Sequence, residues 1–159
     1  MDGVEATGAR AVAFLARALE VVLADAGLSL PQYRLLCYLS RGSSAASPAA
    51  RQLATSRPSV TALVDGVVAK GLVTRVPDAA DRRRITLALT PGGYAVVERA
   101  DAAITARLRA LADHLAPQDA ERAVGALGLW LDALRAEASA GVPEPAVARA
   151  GGREIGAAQ

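Results

Sequence analysis

The stretch that decides the fold runs from Ser56 to Gly93 and reads SRPSVTALVDGVVAKGLVTRVPDAADRRRITLALTPGG. Two periodicities meet in it. Val60, Leu63, Val64 and Val67 recur at the three-and-four spacing of a helix with one apolar stripe. Ser56 caps that helix, which is expected to run to about Lys70 with Gly71 as its stop. Ser59, Ala62, Asp65, Gly66 and Ala69 fall on the opposite side. Beyond Gly71 the period shortens to two. Leu72 to Val76 and Ile85 to Leu89 read as short strands, with Ile85, Leu87 and Leu89 alternating with Thr86 and Ala88. PDAADRRR lies between them, a polar turn that ends in Arg82, Arg83 and Arg84. The stretch is therefore a capped helix followed by a β-hairpin with a cationic tip.

Upstream, Ser47-Pro48 opens a short helix that ends near Ala54. The segment LSLPQYRLLCYLSR carries Ser29 and, three residues on, Gln32; this capping box, with Pro31 in the first turn, starts a helix reaching about Ser40. GSSAA after it is expected to be a loop. Val12, Leu15, Leu19, Val22 and Leu23 mark an amphipathic helix from about Thr7 to Ala26, stopped by Gly27. Downstream, Thr90-Pro91 opens a long helix to about Leu115, with Tyr94, Val97, Ile104, Leu108, Leu111 and Leu115 in register and Asp101 interrupting. Pro117 begins another, with Ala120, Val124, Leu127, Leu131, Leu134 and Ala138 on the same repeat. Both stripes have the spacing of a coiled-coil seam. From Gly141 the composition turns to Gly, Ala and Pro, the mark of a flexible tail. The expected organisation is one domain over residues 1–139, followed by a tail over 140–159.

The 159 residues, 52% of them hydrophobic, suffice for one core, and aromatics at 3% leave aliphatic side chains to fill it. No run of about 18 apolar residues lacks a charge, and the acidic start is unlike a signal peptide, so the expected compartment is the cytoplasm, with no membrane partner. One cysteine and one histidine leave nothing from which to build a disulfide framework or a Cys/His metal cluster. Phosphate-loop, nucleophile-elbow and zinc-protease signatures are absent from the sequence, so no catalytic residue, metal or cofactor is expected. The net charge of +2 conceals an uneven distribution. Between Ser47 and Thr90 seven basic side chains face three acidic ones, whereas the rest of the chain carries eleven basic and thirteen acidic. A basic middle suits a polyanionic partner.

A short helix followed closely by a second helix is the helix-turn-helix arrangement, whose second helix fits the major groove of B-DNA. A hairpin tipped with arginine can reach the neighbouring minor groove, where a narrow, negative channel favours the guanidinium. The fold class implied is mainly α with a small β-hairpin: a winged helix-turn-helix over residues 29–90, flanked by dimerisation helices at 7–26 and 91–139.

Four linked motifs carry a family resemblance: Ser56-Arg57-Pro58-Ser59-Val60, Lys70-Gly71-Leu72-Val73, Asp81-Arg82-Arg83 and Leu89-Thr90-Pro91-Gly92-Gly93. Together they resemble the recognition helix, wing and following helix start of MarR-type (multiple-antibiotic-resistance) regulators, and the resemblance extends over about residues 7 to 139. It implies a homodimer that binds a palindromic operator, often as a repressor released by a small-molecule effector or an oxidant. It places Ser59 and Thr61 at the major groove, Arg57 at the helix start on a base edge or phosphate, and Arg83 in the minor groove. Asp81 would orient the wing, and Arg82 and Arg84 would meet phosphates.

Two departures stand out. Ala62 and Gly66 occupy positions where larger polar or basic side chains are common, so this helix is expected to read fewer bases. Ala54 stands where the turn between the short helices usually has glycine. These departures keep open a second class of function, a helical dimer that binds another protein with a degenerate winged helix. A third reading, a thiol redox sensor using Cys37, competes with that residue's place in the apolar run Leu35 to Leu39, which suits a small buried hydrophobe. Tyr33 and Arg34 could line an effector pocket between the dimer helices and the winged helix, though core positions are the commoner use of such residues. Trp130 is expected as a dimer anchor.

Overall fold

The computed structural model describes residues 2–42, 44–45, 57–78, 81 and 85–139. The chain packs as two compact units, Met1–Val124 and Gly125–Gln159. Among the described residues the elements are α1 (Asp2–Asp25), α2 (Leu30–Leu39), β1 (Ser44–Ala45), α3 (Arg57–Ala69), β2 (Val73–Pro77), β3 (Ile85–Leu89), α4 (Pro91–Ala112) and α5 (Pro117–Ser139). The helices and hairpin expected over these residues are all present. The short helix at Ser47–Ala54, the turn at Ala54, the Ser56 cap and the tail fall outside the described residues.

Local chemistry sets the element boundaries. Ser29 Oγ accepts from the Gln32 N–H at 3.3 Å while Gln32 Oε1 accepts from the Ser29 N–H at 3.1 Å, closing the capping box that starts α2. Thr90 Oγ1 accepts from the Gly93 N–H at 3.0 Å and so caps α4. At the end of α3, Gly71 takes a φ of 69°. Its N–H donates to Val68 O at 2.8 Å and the Leu72 N–H to Val67 O at 3.0 Å, a Schellman stop that turns the chain into β2.

The core gathers around α2 and α3. Leu35, Leu36 and Leu39 of α2 meet Val60, Val64 and Val67 of α3, together with Leu23, Val97 and Ala100 from the flanking helices. Val73, Leu87 and Leu89 bring in the inner end of the sheet. Burying each such aliphatic side chain stabilises the fold by roughly 1.5–3 kcal/mol. The sheet has the order β1-β3-β2 and is antiparallel throughout, with Val73 opposite Leu89 and Pro77 opposite Ile85. One expectation needs correction. Ser44 and Ala45, read as part of a loop, form a two-residue edge strand opposite Leu87 and Thr86. A strand of two residues is too short to show alternation.

The long helices present apolar side chains to solvent. On α1, Val12 and Phe14 are 68% and 75% exposed. On α5, Val124, Leu127, Trp130, Leu131 and Leu134 are all exposed. No described helix is long and apolar enough to cross a membrane.

Candidate nucleic-acid interface

The hairpin is anchored in the core at its inner end. Val73 is buried, while Thr74, Arg75, Val76 and Pro77 are exposed; on β3, Leu87 and Leu89 are buried while Ile85 is exposed. The strands therefore leave the core toward Asp78 and Ile85. Just beyond β2 the Asp78 carboxylate accepts from the Asp81 backbone N–H at 3.1 Å, an Asx-type turn. Thr86 Oγ1 donates to Val76 O at 3.2 Å across the strands and stiffens the stem. Asp81, expected to orient the wing, is half-buried in this turn. Arg82, Arg83 and Arg84 lie outside the described residues.

The base of the wing is fixed by a close crossing with α4. The Thr90 N–H donates to Leu72 O at 3.1 Å, and Thr90 Oγ1 donates to Gly71 O at 2.7 Å. A Cβ at Gly93 would run into the Leu72 carbonyl oxygen and reach Leu89 Cδ2 at 3.0 Å. Glycine is required here by space, and the Leu-Thr-Pro-Gly-Gly sequence is the physical signature of that crossing.

On α3 the stripe Val60, Val64 and Val67 is buried, and Ser59, Thr61 and Ala62 are exposed. Ser59 and Thr61, expected at a major groove, are thus both exposed, on either flank of the buried stripe. Arg57 is the first residue of α3, and its side chain lies outside the described residues. Gly66 is a correction. It was placed on the outer face with Ala62, yet a Cβ there would approach Gln32 Nε2 of α2 to 3.3 Å. Gly66 is thus half-buried and borders α2.

Two basic residues of the middle segment have partners that the sequence did not reveal. Arg75 of β2 pairs with Asp65 of α3, linking wing stem to helix. Lys70 Nζ donates to Gly27 O at 2.6 Å and to Gln32 Oε1 at 3.0 Å. Asp65 offsets the charge of Arg75, whereas Lys70 keeps its charge against two neutral oxygen acceptors.

Behind this surface, Tyr33 of α2 donates through its hydroxyl to Asp101 of α4, which explains why a carboxylate interrupts the apolar stripe of that helix. Burial, with the hydrogen bond to Asp101, holds the Tyr33 hydroxyl well above the ordinary tyrosine range. Arg34 is exposed. Cys37 is half-buried beside the core, and burial pushes its thiol up, opposite to the activation a reactive thiolate needs. Among the described residues no three His, Cys, Asp or Glu side chains are grouped to hold a metal ion.

A helix on a helical core, a hairpin rooted beside it and long flanking helices define the winged-helix class of DNA-binding folds. Residues 26–84 match the model of the MarR family. No curated protein matches the sequence. Among solved structures, YusO from Bacillus subtilis shares the fold with a TM-score of 0.66 at 22% identity, over 84% of this chain and 95% of its own. The transcriptional repressor CouR, bound to a 23-mer DNA duplex, gives 0.64 at 24% identity over 79% and 89%. BpsR from Bordetella bronchiseptica, whose DNA binding is regulated by 6-hydroxynicotinic acid, gives 0.61 at 23% over 81% and 92%.

Proposed function

We propose that this chain is a sequence-specific DNA-binding transcriptional regulator, a repressor that acts as a homodimer on a palindromic operator and responds to a small-molecule effector. One observation carries the reading: a helix with Ser59 and Thr61 exposed is followed by a hairpin whose connecting sequence carries three consecutive arginines. The fold shared with a repressor solved on DNA supports the same partner. Arg57, Ser59, Thr61 and the wing residues Asp81 to Arg84 are the proposed contacts. Ser59 and Thr61 read base edges, Arg83 enters the minor groove, and Arg57, Arg82 and Arg84 hold phosphates. The function involves no chemical step.

The dimer is supported by the exposed Val12 and Phe14 of α1 and the exposed Leu127, Trp130, Leu131 and Leu134 of α5. Large apolar side chains in such number on single helices mark surfaces that a partner covers. Residues 1–139 would act as one MarR-like unit, with 140–159 as an appended tail. The effector is supported by the fold shared with a regulator whose DNA binding responds to a small aromatic acid.

The reading is tested by selecting bound duplexes from random DNA and measuring affinity for the best of them against salt. A logarithmic slope near −0.9 per phosphate contact is expected over several contacts. Absence of salt-sensitive binding to any duplex would favour the protein-binding alternative.

A further inference from the structure

At the C-terminal end of α3, beside its Schellman stop, Lys70 makes side-chain contacts that reach two other elements. Lys70, one residue past α3, bonds to the carbonyl of Gly27, which follows α1, and to the amide of Gln32, in the first turn of α2. One side chain thus ties the end of α3 to the turn between two other helices. The Gln32 amide is itself immobilised, because Oε1 also accepts from the Ser29 N–H at 3.1 Å. Its Nε2 lies over Gly66, where a Cβ would come within 3.3 Å, so the helix leaves room for that amide at the place it occupies. At least two of the three ammonium hydrogens are committed within the protein.

We propose that Lys70 is a positioning residue for DNA binding, fixing the seat of α3 on the α1–α2 turn, and is not a phosphate ligand. The proposal rests on the DNA-binding reading above. Its leverage is geometric. Ser59 lies about 16 Å up the helix from the lysine, at about 1.5 Å per residue. A tilt of about 8° about the anchored end moves Ser59 by about 2 Å, enough to break a hydrogen bond to a base edge. The anchor and the reading residues sit at opposite ends of one rigid rod.

The experiment measures the affinity of full-length protein for the best duplex selected by the wild type, across a salt series, with helical content and melting followed in parallel. Lys70→Met is expected to weaken binding about tenfold, the scale of a lost charge-assisted hydrogen bond, with the salt slope unchanged. Gln32→Glu keeps both acceptor roles of Oε1 and is expected to bind like wild type, whereas Gln32→Leu weakens binding. Combined with Lys70→Met, Gln32→Leu should add less than it does alone. A slope shallower by about one in Lys70→Met would make Lys70 a phosphate ligand and overturn the proposal. Unchanged affinity in Lys70→Met would also overturn it. Failure of the wild type itself to bind any duplex in a salt-sensitive way would instead overturn the DNA-binding reading on which it rests.

Discussion

Two glycines of the hairpin base show how different reasons for the same residue carry different costs. Gly71 is required by its positive φ, and an alanine there has open space around it. Gly71→Ala should destabilise by about 1–2 kcal/mol, the cost of a left-handed non-glycine residue. Gly93 meets the Leu72 carbonyl, a backbone atom that cannot rotate away. Gly93→Ala should therefore cost more, about 3 kcal/mol, because strand start and helix start must separate. Thermal melting of the two variants checks the order; a larger loss at Gly71 would refute the crowding described for Gly93. Cys37 offers a second test at this scale. Its thiol is raised by burial, so the thiolate fraction at neutral pH lies below that of an exposed cysteine. Alkylation in the native protein should be slower than in the unfolded chain and should accelerate as pH rises. Rapid native alkylation at neutral pH would restore the redox-sensor reading.

Among the elements, α3 and the wing are joined by the Asp65–Arg75 pair, both partners largely exposed. Such a pair contributes at most about 1 kcal/mol to stability, so its consequence is electrostatic. It places a carboxylate on the recognition helix and neutralises an arginine on the wing stem. Asp65→Ala should leave melting nearly unchanged, tighten binding to non-specific duplex and steepen its salt dependence; weaker non-specific binding would contradict this. At the tip, Arg83→Ala should weaken operator binding about tenfold while the protein stays folded and dimeric. Unchanged affinity would remove the wing from the interface. How much of this was legible follows from the range of each signal. The capping box at Ser29 and Gln32, the Thr90 cap and the alternation of Ile85, Leu87 and Leu89 are local patterns, and each appears where the sequence places it. Lys70 with Gly27 and Gln32 joins residues 43 and 38 apart, and no periodicity announces such a pairing. Gly66 was assigned to the wrong side because a helical repeat defines the buried stripe but not which flank meets α2. Asp101 looked like a defect in a stripe until Tyr33 supplied its donor.

For the whole molecule, the exposed apolar side chains of α1 and α5 are the surfaces on which the proposed homodimer rests, and a second copy fits the proposed two-fold operator. Leu131→Glu combined with Leu134→Glu should shift the protein toward monomer in sedimentation and weaken operator binding with it. A variant that remains dimeric would move the interface elsewhere. Truncation after Ala138 should leave dimerisation and DNA binding nearly intact; a monomeric product would give residues 139–159 a structural role. The proposed division of labour gives the duplex to the arginines and its reading to Ser59 and Thr61, with the packing behind α3 setting where that helix points. The most direct measurement is nuclease protection across the best selected duplex. The expected pattern is two protected segments related by a two-fold axis, with half-site centres roughly 10 base pairs apart or a multiple of that spacing. A single unpaired patch, or no protection at concentrations where the protein is dimeric, would contradict a homodimer reading DNA through α3 and the wing.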